Sequence, residues 1–173
     1  MKNPILYRFI FAFMLLALPC FGYAGNERLE IASIRAELKA GGKVNEQDSH
    51  GRTVLMKAIE RNRIDIANLL LAYKADVTLA DHDGSTAMHY AAFVGNVDIL
   101  ELLFSRGADV NSLNKECESP LMWAAYEGKL KACKYLANHG ADPNLKTLSG
   151  KNASSLARDN DHPLTAKFLE KMK

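Results

Sequence analysis

Apolar and polar positions along this chain fall into blocks that return every 33 residues. Leu55, Met88 and Leu121, each followed three residues later by Ala58, Ala91 and Ala124, mark one apolar face at i, i+3 spacing. That spacing predicts a short amphipathic helix. The apolar runs at 66–71, 99–104 and 132–137 predict a second helix after each of these. Polar turn residues separate the blocks. Asp48, Asp81 and Asn114 open a bend, Gly51 and Gly84 sit inside it, and Gly107 and Gly140 follow the second helices, where a left-handed residue ends a helix cheaply. A strict period of this length, with no insertion, predicts a stack of short supersecondary units rather than a domain with one central core.

Two motifs hold the same phase. Residues 107–111 read Gly-Ala-Asp-Val-Asn, with variants at 41–45, 74–78 and 140–144. Residues 53–58, 86–91 and 119–124 read Thr-Val-Leu-Met-Lys-Ala, Thr-Ala-Met-His-Tyr-Ala and Ser-Pro-Leu-Met-Trp-Ala. Together they resemble the ankyrin repeat over residues 26–173. The resemblance implies an all-α repeat solenoid in which each unit is a β-turn finger followed by two antiparallel helices. Full repeats are expected at 48–80, 81–113 and 114–146, flanked by a partial N-terminal unit at 26–47 and a degenerate C-terminal unit at 147–173. The first cap carries the stripe Ile31, Ile34 and Leu38 and an outer side charged by Glu27, Arg28, Glu30, Arg35 and Lys39. The last keeps Gly150, Ala157 and Leu169 in phase, and Lys167, Glu170, Lys171 and Lys173 make it polar. Four positions depart from the pattern. Cys117 replaces the bend glycine and is expected to distort the third finger. Lys74 replaces a helix-ending glycine. Pro163 either interrupts the last helix or begins it, and Pro120 is the single copy of the family's proline.

Residues 1–24 are of another kind. Lys2 and Arg8 precede ten uninterrupted apolar residues at 9–18, Pro19 breaks the run, and Gly22 and Ala24 place small residues where a signal peptidase reads. This is the pattern of a secretory signal peptide cleaved after Ala24, and the run is short for a membrane span. A retained anchor is the rival reading. Pro19 before Cys20 does not suit a lipidation site. The mature chain is expected to be periplasmic or secreted, with no membrane association after cleavage. Removing Lys2 and Arg8 from 22 basic residues brings that chain level with its 20 acidic ones. Phosphate contacts dominate nucleic-acid affinity, so a neutral chain without a basic stripe is not expected to bind nucleic acid.

No phosphate loop, HExxH, GxSxG or CxxC occurs, so no catalytic residue, cofactor or metal is assigned. His50 and His82, beside Asp48, Asp81 and Asp83, could form a finger-tip metal site, which would make the chain a metal-dependent enzyme. The plainer reading is solvated turn residues, because metal-ligand spacing is absent. His89 is expected to be structural, His139 and His162 lie near helix ends, and Asn152 heads a glycosylation sequon. Cys133 is expected in the core and Cys117 partly exposed, with a bridge between them disfavoured.

The candidate site is aromatic. Tyr90 and Phe93, and Trp123 and Tyr126, form i, i+3 pairs 33 residues apart. Large rigid rings with polar tips dominate interface energetics, so this set is a candidate hot spot, with packing between helices as the alternative for Tyr90 and Trp123. Arg52, Arg61, Glu60, Glu116, Glu118 and Glu127 are expected to form a charged rim. By resemblance, the chain is a non-enzymatic module that binds an exported protein on its concave face and fingers. It would act as an inhibitor, immunity or accessory protein of an envelope enzyme, or as a secreted effector. A monomer is expected, with dimerisation through the aromatic patch left open.

Overall fold

The computed structural model describes residues 24–172, so the predicted signal peptide, apart from Ala24, and the C-terminal Lys173 lie outside the described residues. Nine helices occur among the described residues, and none is long and apolar enough to cross a membrane. Helix α1 (Ala24–Lys39) stands alone. Four helix pairs follow: α2 (Val54–Glu60) with α3 (Ile64–Ala72), α4 (Ala87–Val94) with α5 (Val97–Phe104), α6 (Pro120–Tyr126) with α7 (Leu130–Asn138), and α8 (Ala153–Asp159) with α9 (Pro163–Glu170). First helices pack in the row α2, α4, α6, α8. Second helices pack in the row α3, α5, α7, α9, which α1 extends by packing on α3. This is the all-α repeat solenoid that the period predicts.

The 33-residue phase explains why each segment folds as it does. Thr53, Thr86, Ser119 and Asn152 occupy equivalent N-cap positions with extended backbone. The third residue of each first helix reaches back to the cap N–H. Met56 does so through sulfur at 3.4 Å, His89 through Nδ1 at 3.1 Å, Met122 through sulfur at 3.5 Å and Ser155 through Oγ at 2.9 Å. Three chemistries, thioether, imidazole and hydroxyl, thus fill one capping role. Ala58, Ala91, Ala124 and Ala157 are fully buried where first helices meet. A methyl group there lets neighbouring backbones approach closely. Leu70, Leu103, Leu136 and Leu169 form the matching buried row of the second helices, and burying each such side chain contributes about 1.5–3 kcal/mol.

Between repeats the fingers are tied by backbone. The N–H groups of His82, Lys115 and Leu148 donate to the carbonyls of His50, Asp83 and Glu116 at 2.9, 2.8 and 3.0 Å. The first carboxylate or amide of each finger closes its own turn. Asp48 accepts from His50 and Arg52, Asp81 from Asp83 and Ser85, and Asn114 from Glu116 and Glu118, all at 2.8–3.0 Å.

Several expectations need correction. The third finger keeps its turn, although the bridges Gln47–Thr53 and Ala80–Thr86 that flank the first two have no counterpart there. Cys117 adopts φ +57° and donates its N–H to Asn114 at 3.0 Å, matching Gly84 to Asp81 at 3.0 Å. The thiol residue accepts a left-handed backbone because the surrounding turn and ladder fix it. Lys74 does the same at φ +65°. Glu30 does not face outward. It bonds Arg63 at 2.6 Å, with 13% of its side chain exposed, and pins α1 to the start of α3. The hydrogen bond to Asp65, helped by that to Glu30, outweighs the burial that opposes the charge on Arg63 and raises its pKa. Pro163 begins α9 rather than interrupting it, in the first turn where no N–H is needed. Both Cys117 and Cys133 are free thiols. Burial pushes the Cys133 thiol up to about 12, so it is an inert core residue.

A left-handed Cys carries about 1–2 kcal/mol of backbone strain, and glycine adds back about 0.5–1 kcal/mol of chain entropy. Cys117→Gly should therefore raise stability by about 0.5–1 kcal/mol in urea unfolding. Gly51→Ala should lower it by about 2 kcal/mol or more. Its new Cβ would stand 2.7 Å from the His82 backbone nitrogen and 2.6 Å from the His82 ring, at φ +76°. Loss of stability in Cys117→Gly would show that the thiol packs better than its turn suggests.

Candidate functional site

Equivalent positions on the first helices give two rows across the stack. The inner row is Lys57, Tyr90, Trp123 and Leu156, and the outer row is Glu60, Phe93, Tyr126 and Asp159. Each of the first three inner-row side chains ties to the base of its own finger. Lys57 Nζ lies 2.7 Å from Asp48, the Tyr90 hydroxyl donates to Asp81 at 2.7 Å, and Trp123 Nε1–H donates to Glu118 at 2.8 Å. That same Glu118 oxygen accepts from Asn114 Nδ2 at 2.9 Å, so the third tie runs through a relay. Burial would raise the Asp48 pKa. Hydrogen bonds from Lys57 and from the backbone of Arg52 and His50 overcome it and keep the carboxyl ionised far below the usual range. Burial, then the bond to Asp81, pushes the Tyr90 phenol well above its ordinary value, so it acts as a neutral donor.

The four predicted aromatic residues do assemble. Trp123 is the hub. Its ring centre lies 5.7 Å from Tyr90, 6.1 Å from Phe93 and 5.4 Å from His89, each edge to face. Such contacts contribute roughly 0.5–1.5 kcal/mol each. Tyr90 and Trp123 are half-buried, whereas Phe93 and Tyr126 remain 42% and 50% exposed. Phe93, Trp123 and Tyr126 line a cavity of about 200 Å³ together with Glu118, Met122 and Leu156.

The predicted rim is only partly a rim. Glu118 lines the cavity itself. Arg52 pairs with Glu60 at 3.4 Å and lies 3.6 Å from Asp48, on the neighbouring repeat. Arg61 and Glu127 sit at the C-terminal caps of α2 and α6, and neither makes an ion pair among the described residues. Glu116 is exposed at a finger tip, where its carbonyl takes the Leu148 N–H. Leu156 was not singled out from the sequence, and Asp81 was read as a bend residue and candidate finger-tip ligand, not as the partner of Tyr90. Both carry a 33-residue phase that marks them: Leu156 continues the Tyr90–Trp123 row, and Asp81 stands nine residues before Tyr90.

The finger-tip set does not converge on a metal. Asp48 and Asp81 are bound to Lys57 and Tyr90. Among the described residues no three His, Cys, Asp or Glu side chains could hold an ion together. A polar recess of about 350 Å³ does lie there, lined by His50, Arg52, Asp81, Asp83 and Tyr90.

His89 is fully buried and joins two repeats. Its Nδ1 accepts from the Thr86 N–H, so the ring proton sits on Nε2, which donates to the Glu118 carbonyl at 3.0 Å. That bond sets the end of the third finger beside Trp123.

A family model described as ankyrin repeats (3 copies) matches residues 24–114, and another described as ankyrin repeats (many copies) matches residues 95–137. The chain belongs to the ankyrin repeat family. Comparison with curated proteins finds no match. Ankyrin repeats are generally protein–protein interaction modules. In this ankyrin protein α8 and α9 lie beyond both matched spans, yet they pack on α6 and α7 as the earlier pairs pack on each other.

Burial lowers the His89 pKa, against weaker support for the charged form from the Glu118 carbonyl and nearby carboxylates. A histidine held neutral in the fold contributes stability that is complete above its unfolded pKa of about 6.5 and is lost as pH falls below it. Wild-type protein should therefore lose more stability between pH 7 and pH 5 than a His89→Gln variant, although the variant is the less stable at pH 7. Parallel pH profiles from thermal melts would contradict the assignment of a buried neutral imidazole.

Proposed function

We propose that this ankyrin protein is a non-enzymatic binding module that acts after export, docking a folded, exported partner protein through its concave first-helix face and finger turns. The observation that carries the reading is the exposure of Phe93 and Tyr126 beside Trp123 on a face fixed by finger-to-helix hydrogen bonds. An apolar ring left in water costs free energy, and rigid rings lose little entropy when a partner covers them. Inhibition or immunity towards an envelope enzyme, or support of one, is the setting we propose for this binding. The export part of the reading rests on the sequence of residues 1–24.

Tagged residues 25–173 should retain a specific protein from envelope extract, and Phe93→Ala, Tyr126→Ala should weaken that complex at least about tenfold. Equal retention would move the binding face away from these rings. Expression of the full chain in a Gram-negative host should yield, in the periplasmic fraction, a product whose mass begins at Gly25. An uncleaved chain in the cytoplasm would overturn the export reading without touching the binding one.

A further inference from the structure

The cavity beside Trp123 holds an unpaired carboxylate among aromatic walls. Glu118 uses one oxygen, Oε2, to accept from both Trp123 and Asn114, which are neutral donors. Among the described residues no donor reaches its other oxygen, and it makes no ion pair. Arg52 pairs with Glu60 and Asp48, and Lys151, which stands at the position equivalent to Glu118, pairs with Asp159 at 2.8 Å. The walls are Phe93 and Trp123, whose planes meet at 73°, with Tyr126, and Met122 and Leu156 complete the lining. A volume of about 200 Å³ is small for a drug-sized ligand and suits one side chain.

An aliphatic guest would fill such walls but leave the carboxylate desolvated and unpaired, which is costly. An acidic guest would be repelled. A metal would find one carboxylate, that of Glu118, in the cavity lining. A cationic head on an apolar stem satisfies every surface at once. Its stem lies along the rings, its charge faces their electron-rich planes, and its N–H groups reach the free Glu118 oxygen.

We propose that this cavity is an anchor pocket for a single lysine or arginine side chain of the protein partner. The inference rests on reading this face as a partner-docking surface and names the chemistry that the partner must present. Glu118 is its specificity-determining residue, and Phe93, Trp123 and Tyr126 form the cage around the stem. The finger base keeps the pocket formed without the guest, because Asn114 and Trp123 hold the carboxylate in place.

Trp123 is the chain's single tryptophan, so its emission reports directly on pocket occupancy. The mature protein would be titrated with the capped tripeptides acetyl-Gly-Xaa-Gly-amide, where Xaa is arginine, lysine, norleucine or glutamate. Arginine and lysine peptides should shift the emission and bind about tenfold more tightly than norleucine, the gain expected for a cation over rings beside a carboxylate. Glu118→Gln, which keeps an acceptor for Trp123, should cut that preference to about twofold or less. Circular dichroism checks that the variant folds, and the wild-type comparison stands without it. Norleucine binding as well as arginine would overturn the charge selection. So would silence towards every peptide while the protein complex still depends on Phe93 and Tyr126. In both cases the docking face survives and the basic anchor does not. A protein complex indifferent to Phe93 and Tyr126 would instead remove the docking face, whatever the peptides do.

Discussion

The side chain that opens each finger governs the binding face. Asp48, Asp81 and Asn114 each do two things: they close the finger's own turn through backbone N–H groups, and they tie it to the inner row of the adjoining first helix. A finger loop has little apolar surface of its own to hold it. Its orientation would rest on contacts between repeats, such as the backbone ladder at the tips and the His89–Glu118 bond, without the tie. With it, finger and helix form one rigid corner, and the aromatic rings are aimed from that corner. The same place in three repeats uses an ion pair, a phenol–carboxylate bond and an indole–carboxylate–amide relay. The geometry is therefore the constant, and the chemistry is free to vary within it.

Stability in such a stack comes from neighbours rather than a centre. The alanine row at 58, 91, 124 and 157 sets how closely first helices approach, and the leucine row at 70, 103, 136 and 169 fills the space between second helices. Among the described residues each end of the stack packs on one neighbouring unit, and ion pairs add to that contact. At the N-terminal end the Glu30–Arg63 pair serves, with both partners mostly out of water. At the C-terminal end Arg158 pairs with Glu170 across α8 and α9, and Lys151 with Asp159, on the exposed side. Exposed pairs of this kind contribute about 0–1 kcal/mol, so they serve solubility more than cohesion.

Most of the architecture was legible because the period repeats the same physical demand at known offsets. Buried alanines, helix pairs and bend residues all fall where the phase puts them. What resisted reading was chemistry that the phase permits but does not specify. Cys117 was expected to distort its finger, yet a turn closed on Asn114 and laddered to its neighbours tolerates one strained residue. Three rows of left-handed residues exist, and the row at Asn62, Gly95, Gly128 and Asp161 went unnoticed because only two of its four members are glycine. Glu30 was placed outside because a charged residue on a terminal helix is usually solvated. Its partner, Arg63, lies 33 residues away, beyond the reach of local pattern reading. Glu118 was read as rim because its bond to Trp123 depends on side-chain direction, which spacing alone does not give.

The rows also explain why the middle of the stack is the place to look for recognition. Where a position is packed in the core, the same kind of residue returns in every repeat, as in the alanine and leucine rows. Exposed equivalent positions carry no such demand, so their differences need another cause. The outer row runs Glu60, Phe93, Tyr126, Asp159, and the inner row Lys57, Tyr90, Trp123, Leu156. Charge stands at the outer row's ends and aromatic surface in its middle, at backbone sites that fold identically. The first and last of that row are already occupied, Glu60 by Arg52 and Asp159 by Lys151. Between them Phe93, Tyr126 and the free oxygen of Glu118 have no internal role that would account for their exposure. On the proposed reading the flanking charges govern which partners approach and the rings govern which stay, a division of labour that follows from the range of each force.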